Sequence, residues 1–413
     1  MLPKVHPSTD GIPTEREDEQ PVVSDAFFKH LRVTSCLGGI YRRANPGEKM
    51  IWWDRIKLVY VVFVEILFVT CIVFFLIATY NYAVGSRPII RLLSFCAIMA
   101  INLYLSLIYS IFLSKTFHLL HVRFRKYEEL YGFSDEFKKW VKRLRPILVC
   151  SHLFTASSGP LEYFMTKSYP KVMYDIFPTM VFTEPWKSAG VGITCIGYTL
   201  VEFQWITNYT VIPFLSLFVW QEFKRVETQF KELSNSQCDN TESRFNTLVI
   251  HFDHITEILE DISNYVQHSI FTYVFMTLPV TCAVLYSILS KHVSSEEVMV
   301  YSVWCVWALL CVGCRLLIDA LVSSKAHGTL QYVWGLDKQR FSGKGLQKVN
   351  LFVSRLTGDT IGYNIHGLFT ITMPTLLGIA GTLVTYIIVV VQFKPSDSSC
   401  QCNWFRNVTG SDM

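Results

Sequence analysis

The sequence is poor in charge. Lys, Arg, Asp and Glu make up only 17% of its 413 residues, whereas a soluble domain carries about 25% charged residues. Hydrophobic residues reach 51% and aromatic residues 15% of the chain. This balance argues against an ordinary soluble domain and favours a membrane protein.

The sequence also lacks the patterns that carry catalysis. It contains no His-rich metal cluster, no Gly-x-Ser-x-Gly and no phosphate-binding loop. His118 and His121 are typical of a helix-surface pair, and Cys311-x-x-Cys314 has no His or Cys nearby that would complete a zinc site. We therefore predict a protein that is not an enzyme and that needs neither a metal, a cofactor nor a nucleic-acid partner.

Seven apolar stretches are long enough to cross a bilayer, whose hydrocarbon core of about 30 Å needs roughly 20 helical residues. They are Leu58–Thr79, Leu92–Leu113, Pro146–Met165, Ala189–Trp220, His268–Leu289, Val298–Val322 and Gly367–Phe393. The third stretch is the weakest, because it contains His152 and Glu162 and must face the interior of the bundle. The sequence predicts an all-α fold, a seven-transmembrane helix bundle.

The distribution of Lys and Arg predicts the orientation of the bundle. With a cytosolic amino terminus, the cytosolic segments hold 28 of the 37 Lys and Arg residues and the external segments hold 8. The positive-inside rule therefore places the amino terminus in the cytosol, and seven spans place the carboxy terminus outside the cell. A G-protein-coupled receptor has the opposite orientation.

A polar stripe runs along the last apolar stretch. Gly378, Thr382, Thr385, Val389 and Gln392 follow one another at steps of four, three, four and three, which aligns them on one face of a helix. Polar groups in hydrocarbon face protein or water rather than lipid. The polar stripe therefore either packs against another helix through its small residues or lines a water-filled path.

The same stretch carries a motif. It consists of Gly367, Leu368 and Phe369, followed by Thr385-Tyr386 and by Gln392-Phe393. This pattern resembles the carboxy-terminal signature of the insect gustatory receptor family, although Thr372 and Met373 stand where relatives often carry Asp and Asn. An odorant receptor of the same superfamily is the nearest alternative, and the Gly-Leu-Phe-Thr-Ile start and the Gln-Phe ending favour the gustatory branch.

The resemblance implies a receptor that is itself a channel in the plasma membrane of a chemosensory neuron. A small-molecule tastant opens the pore, and the last helix of each of four subunits, identical or related, lines it. Gln392 and Val389 are then nearest the gate, with Thr385 on the same face and Phe393 at the external mouth. Rings of Gln amides can coordinate a partly hydrated cation, and rings of Val can gate by dewetting. Lys394 argues against strong cation selectivity.

On this basis we divide the chain into five segments. Residues 1–57 are a solvated cytosolic tail, 58–322 a six-helix ligand-binding bundle, 323–366 a cytosolic helical anchor, 367–393 the pore-lining seventh helix, and 394–413 an extracellular tail. Within the bundle, apolar residues recur at helical spacing through 221–267. The fourth and fifth helices are therefore predicted to extend into the cytosol.

The candidate ligand-binding residues are polar or aromatic groups in three spans of the bundle. They are Glu202, Tyr198, Trp205, Trp304, Trp307, Tyr163 and Glu162. Each has an alternative role, because a buried carboxylic acid can bond a neighbouring helix and tryptophan can form a belt at the lipid interface. Arg315 and Asp319, one turn apart in the sixth span, are predicted to be an internal pair.

Two other functions remain open. A metabotropic seven-helix receptor is disfavoured by the orientation and by the lack of its Asp/Glu-Arg-Tyr and Asn-Pro-x-x-Tyr motifs. A transporter is disfavoured because the sequence has no internal repeat and only one polar stripe.

Overall fold

The computed structural model describes residues 23–37, 52–83, 97, 100–143, 187–235, 240–289, 295–358 and 360–392, with a few single positions between 146 and 157. Most of the predicted third span, Phe393 and the extracellular tail lie outside these residues. The described residues are helical apart from their connections and one short hairpin, as the sequence predicts.

Nine α-helices can be labelled in the described part of the chain. They are α1 (Val23–Leu37), α2 (Trp52–Ala83), α3 (Ser114–Tyr131), α4 (Lys187–Asn235), α5 (Thr241–Leu289), α6 (Ser295–Gly328), α7 (Leu330–Trp334), α8 (Gly343–Gly358) and α9 (Met373–Gln392). Residues 100–107 and 135–143 are also helical. Strands β1 (Asn364–Ile365) and β2 (Phe369–Thr370) form an antiparallel hairpin before α9.

Among the described residues, Arg55–Val73 and Cys305–Trp334 are helical segments long and apolar enough to cross a membrane. Ala100–Ser110 and Lys115–Tyr131 make a third candidate if they count as one span bent by 59°. A π-helical turn, Ile108–Phe112, lies at this bend. Such a turn carries one extra residue, which redirects the chain that follows it.

Helices α4 and α5 extend well beyond a bilayer. Each has 49 residues, which at 1.5 Å per residue gives about 70 Å, more than twice the thickness of the hydrocarbon core. Val226, Phe230 and Leu233, three of the apolar residues that recur at helical spacing within 221–267, are fully or almost fully buried. These residues pack into the same core as the rest of the bundle, so both helices continue past the length of one span. That this part is cytosolic stays a prediction.

Aromatic side chains dominate that core. The ring of Phe218 lies 4.5 Å from Phe124, 5.4 Å from Phe133 and 4.9 Å from Phe137. Such pairs contribute about 0.5–1.5 kcal/mol each beyond the area they bury. They fix α3 and helix 135–143 against α4.

The prediction of a solvated tail is wrong for residues 23–37, which form α1. Phe27, Phe28 and Leu31 lie on one side of α1 and are buried in the main core. The Glu128 carboxylate accepts hydrogen bonds from the backbone N–H groups of Val23 and Ser24 at 2.9 and 3.0 Å, and so caps α1 from α3. The polar residues around α1 hide this short amphipathic pattern.

The last helix begins at Met373, and not at Gly367 as predicted. His366 and Gly367 have φ angles of 50° and 73°, which are the left-handed values that a tight hairpin turn requires at its two central residues. Thr372 then caps α9 by accepting a hydrogen bond from the Thr375 N–H at 3.3 Å. The apolar run continues through the hairpin, so hydrophobicity alone cannot show this boundary.

Candidate functional site

Helix α9 packs against the rest of its chain along one side only. Met373, Leu376 and Ile379 contact the main core, where α9 lies against α5 and α6. All five residues of the polar stripe are exposed. At 100° per residue, the polar stripe lies on the side of α9 opposite the packed residues.

The described part of the chain provides no helix that packs on the polar stripe. A Cβ atom added at Gly378 or at Gly381 would have no atom within 4 Å. A small-residue seam inside one subunit would instead bring a neighbouring backbone close to these glycines. The stripe can therefore face a second subunit or water.

The hydroxyl groups of the polar stripe are satisfied within the helix. Thr382 donates a hydrogen bond to the Gly378 carbonyl and Thr385 donates one to the Gly381 carbonyl, both at 2.9 Å. The hydroxyl oxygens can still accept hydrogen bonds, as a lining for water or cations requires. Val389 and the terminal Gln392 are exposed on the same side.

The motif residues divide between two places. Gly367, Leu368 and Phe369 lie in the hairpin, whereas Thr385 and Gln392 lie on the polar stripe. The hairpin is fixed to α5 by two hydrogen bonds between Ser263 and Asn364. The Ser263 hydroxyl accepts one from the Asn364 N–H at 2.9 Å and donates one to the Asn364 carbonyl at 3.2 Å. The motif therefore covers both α9 and the hairpin that attaches α9 to α5.

Helix α6 also holds this attachment. His327 Nδ1 donates to the Leu356 carbonyl at 2.9 Å, while Nε2 accepts from the Ile361 N–H at 3.2 Å. The ring thus joins the end of α8 to the start of the hairpin. This arrangement requires the neutral imidazole, since a protonated ring has no acceptor nitrogen.

A buried polar network lies beside the hairpin. Asp319 accepts hydrogen bonds from Ser216 Oγ at 2.7 Å and from Arg315 Nε at 2.8 Å. The predicted pair of Arg315 and Asp319 is therefore confirmed. Tyr363 is fully buried beside Ser216 and Asp319, and its carbonyl accepts from the Ile371 N–H at 2.9 Å. The network joins α4, α6 and the hairpin.

Sequence reasoning missed Ser216 and Tyr363 as members of this network. Ser216 is a single hydroxyl in the apolar run 211–219, and Tyr363 follows a glycine in a connection. Lone polar residues in apolar runs are the signal that could have marked Ser216, because a buried hydroxyl needs a partner.

Of the seven candidate ligand residues, Glu202, Trp205 and Trp307 have side chains that the structure describes, and Trp307 lies apart from the other two on the outward side of α6. Glu202 and Trp205 of α4 are partly buried, and the Trp205 ring makes an edge contact with Tyr273 of α5 at 6.1 Å. Trp307 is 64% exposed on α6, on the same outward side as Val303 and Leu310, which favours its alternative role in a lipid belt. The side chains of Tyr198, Trp304, Tyr163 and Glu162 lie outside the described residues.

Gln204 is a candidate that sequence reasoning passed over. Its side chain is fully buried, and neither end of its amide has a hydrogen-bond partner among the described residues. An unsatisfied buried amide is costly, so such a group marks the place of a water or a ligand. Its signal in the sequence is the single amide between Leu200 and Trp205 in an apolar stretch.

A second polar cluster lies in the part of the bundle predicted to be cytosolic. Tyr127 Oη donates to Glu222 Oε2 at 2.8 Å and lies 2.7 Å from His251 Nε2. The Tyr131 ring stacks on His251 at 4.0 Å. Burial, together with the positive charge of Arg225, lowers the pKa of His251 to about 4.

This depressed pKa predicts that acid destabilises the helical extension. Between pH 6.5 and about 4 the unfolded chain binds a proton at His251 that the folded chain does not, so stability falls as pH decreases through this window. At pH 5 the expected loss is about 2 kcal/mol relative to pH 7.5. Thermal unfolding of the detergent-solubilised protein at the two pH values measures it.

The control is a histidine-to-glutamine exchange at two positions. His251→Gln keeps a donor for Tyr127 and should reduce the pH dependence, whereas His254→Gln, at a less buried neighbour, should leave most of it. Equal pH dependence in the wild type and in His251→Gln would contradict the assignment to His251.

Comparisons with known proteins agree with this architecture. The model of a family described as 7tm chemosensory receptor matches residues 29–397. The solved olfactory receptor OR5 of the insect Machilis hrabei is similar with a TM-score of 0.68 and 13% identity, over 89% of this chain and 98% of that one. The same receptor in complex with eugenol gives a TM-score of 0.65 and 14% identity over the same shares. No curated protein matches the chain.

Proposed function

Because this chain belongs to the 7tm chemosensory receptor family, we propose that it is a gustatory receptor that acts as a ligand-gated, non-selective cation channel. It works in the plasma membrane of a chemosensory neuron and opens when a small-molecule tastant binds. The observation that supports this proposal is the exposed polar stripe of α9, opposite the side that packs on α5 and α6. An apolar helix of 20 residues with such a face needs either water or another subunit.

The proposed assembly is a tetramer of identical or related subunits around a central axis. In this arrangement the four α9 helices have equivalent positions around the axis, and we assign their polar stripes to the side that faces it. Leu377, Val384 and Ile388 are also exposed, on the flank of α9 next to the polar stripe. We assign this apolar flank to contact with the neighbouring subunit and residues 323–366 to the cytosolic anchor.

The proposed gate lies at the end of α9. A ring of Val389 side chains closes the pore by excluding water, and a ring of Gln392 amides meets the cation beyond it. Thr385 lies two turns away from Gln392 on the same face. Phe393 and Lys394 follow at the external mouth, where four lysines weaken selection for cations.

The proposed ligand site lies around α4, in the half of the bundle that we predict to face the outside of the cell. Gln204 provides an unsatisfied amide, and Trp205 and Glu202 lie beside it in the chain. Tyr198, Trp304, Tyr163 and Glu162 remain candidate lining residues, and Trp307 the weakest of the set. A small molecule that can both stack on an aromatic ring and hydrogen-bond to an amide fits this chemistry.

The proposed coupling runs through the buried network at the hairpin. The ligand site lies on α4, which also carries Ser216, while Asp319 lies on α6 and Tyr363 leads into α9. A ligand that binds the open state more tightly shifts the equilibrium toward it by that difference in affinity. A change in the distance between α4 and α6 then moves Asp319 and, with it, the hairpin that precedes the first residues of α9.

An odorant receptor is the second candidate. The solved OR5 structure from Machilis hrabei contains eugenol, and its fold matches that of this chain. The same polar stripe and the same hairpin serve an odorant-gated channel equally well. The ligand that opens the pore distinguishes the two functions.

The test of the proposal is whole-cell current from cells that express this chain alone, with G-protein signalling blocked. Sugars, bitter compounds and volatile aromatics are applied in turn, and each is also applied to a matched line that expresses the related OR5 receptor. A current that persists under the block supports the channel. A current that disappears under the block overturns it in favour of a metabotropic receptor.

A further inference from the structure

Helix 135–143 has one buried side and one basic side. Phe137 lies in the aromatic core, 5.2 Å from the ring of Phe214, and Val141 packs against the same core. At 100° per residue, positions 139, 142 and 143 lie on the opposite side of the helix. These positions are Lys139, Lys142 and Arg143, and all three are exposed.

The three basic residues have no acidic partner among the residues that the structure describes. The two acids of this helix are already paired, Asp135 with Lys138 at 3.4 Å and Glu136 with Lys224 at 3.8 Å. Three positive charges therefore point to solvent from two turns of one helix. Exposed cations so close together repel one another, which an anionic partner would relieve.

The position of the helix indicates what that partner is. Trp140 is exposed on the flank of the basic side. The exposed apolar residues Ile147, Val149 and Leu153 follow at the start of the predicted third span. A tryptophan between basic residues and an apolar span is the arrangement of a membrane interface.

We propose that Lys139, Lys142, Arg143 and Trp140 form a binding surface for the headgroup of an anionic phospholipid in the cytosolic leaflet. The clustered charge fits a multivalent headgroup, such as that of a phosphoinositide, better than a single carboxylate. The inference rests on the cytosolic amino terminus proposed above but not on channel activity. Its failure would therefore leave the channel proposal untouched.

The surface is connected to the core of the bundle. The Ser134 N–H, at the start of this helix, donates to Glu222 Oε1 of α4 at 3.2 Å, and Phe137 contacts the Phe218 ring of α4 at 4.9 Å. A bound lipid therefore restrains α4 as well as the short helix. We expect it to raise the thermal stability of the whole receptor, since a ligand that binds only the folded state stabilises it.

The experiment measures binding to the full-length receptor in neutral detergent. The probes are dioctanoyl phosphatidylinositol 4,5-bisphosphate, dioctanoyl phosphatidylcholine and soluble inositol 1,4,5-trisphosphate. The test variant combines Lys139→Gln, Lys142→Gln and Arg143→Gln. The matched control removes the same charge elsewhere on the predicted cytosolic side, with Lys338→Gln, Lys344→Gln and Lys348→Gln.

The expected result is binding of the phosphoinositide by the wild type and by the control, and about a hundredfold weaker binding by the test variant, since each basic residue near an anionic surface contributes about a factor of five. Trp140→Ala should weaken binding of the lipid and leave binding of inositol trisphosphate unchanged. Unchanged unfolding midpoints without lipid show that the variants fold.

Three outcomes would overturn the proposal. The test variant could bind the phosphoinositide as tightly as the wild type does. The control could lose as much affinity as the test variant, which would assign binding to net charge. Inositol trisphosphate could bind as tightly as the lipid, which would make the surface a site for a soluble phosphate.

Discussion

Replacing Gln392 by arginine should abolish most of the ligand-evoked cation current. In the proposed tetramer the substitution places four guanidinium groups around one axis. At about 5 Å from a cation and with the dielectric constant of water, each group raises the energy of the ion by about 0.8 kcal/mol. Together they contribute about 3 kcal/mol, which lowers cation occupancy by about a hundredfold.

The measurement is whole-cell current and reversal potential for Gln392→Arg, Gln392→Glu and Gln392→Ala under the same ligand. Gln392→Glu is the matched control, because it keeps the size of the side chain and should raise cation over anion permeability. Gln392→Ala should change selectivity least of the three. If the arginine and glutamate variants both kept the reversal potential of the wild type, Gln392 would lie outside the conduction path.

Removal of the Asp319 carboxylate should have the largest effect on stability. Asp319 is fully buried and Arg315 almost so, and the carboxylate is the partner of both Arg315 and Ser216. Asp319→Ala leaves a guanidinium buried without its counter-charge, which typically costs about 3–5 kcal/mol. We expect the unfolding midpoint of the detergent-solubilised receptor to fall by roughly 3–6 °C, because the entropy of unfolding grows with the length of the chain.

The double variant Arg315→Met with Asp319→Leu separates charge from packing. It removes both charges and keeps most of the volume, so it should recover most of the lost stability. Its ligand sensitivity should stay impaired if the network couples α4 and α6 to the hairpin. Stability that stays as low in the double variant as in Asp319→Ala would place the cost in packing instead of in the unpaired charge.

The sequence predicts those features that depend on hydrophobic composition and on the spacing of apolar and polar residues along a helix. The apolar stretches predicted a helical bundle, and the fold confirms it. The helical spacing of Val226, Phe230 and Leu233 agrees with the 49-residue length of α4, and the cytosolic position of this part stays a prediction. The residues of the polar stripe are separated by four or three positions, and helical geometry alone places such residues on one face. A single polar face on the last helix was therefore predictable. Arg315 and Asp319 were predictable as a pair for the same reason.

The features that the sequence did not predict depend on the tertiary fold. Apolar Ile365 and Leu368 stand directly before and after His366 and Gly367, so no clear change in hydrophobicity marks the turn of the hairpin. Helix α1 follows a polar segment and is held by Glu128, about a hundred positions away in the chain. The second partner of Asp319, Ser216, comes from α4, and no local pattern links Ser216 to Tyr363.

The hydrogen bonds of Thr382 and Thr385 to the backbone of α9 have a consequence for biogenesis. A newly made subunit reaches the bilayer before its partners and must present its polar stripe to lipid for a time. Because both hydroxyl protons are already engaged, lipid contact leaves no donor of the two threonines unsatisfied, and the polar Gln392 lies at the last turn of the helix. The face that we assign to the pore is thus one that a solitary subunit can tolerate while it waits to assemble.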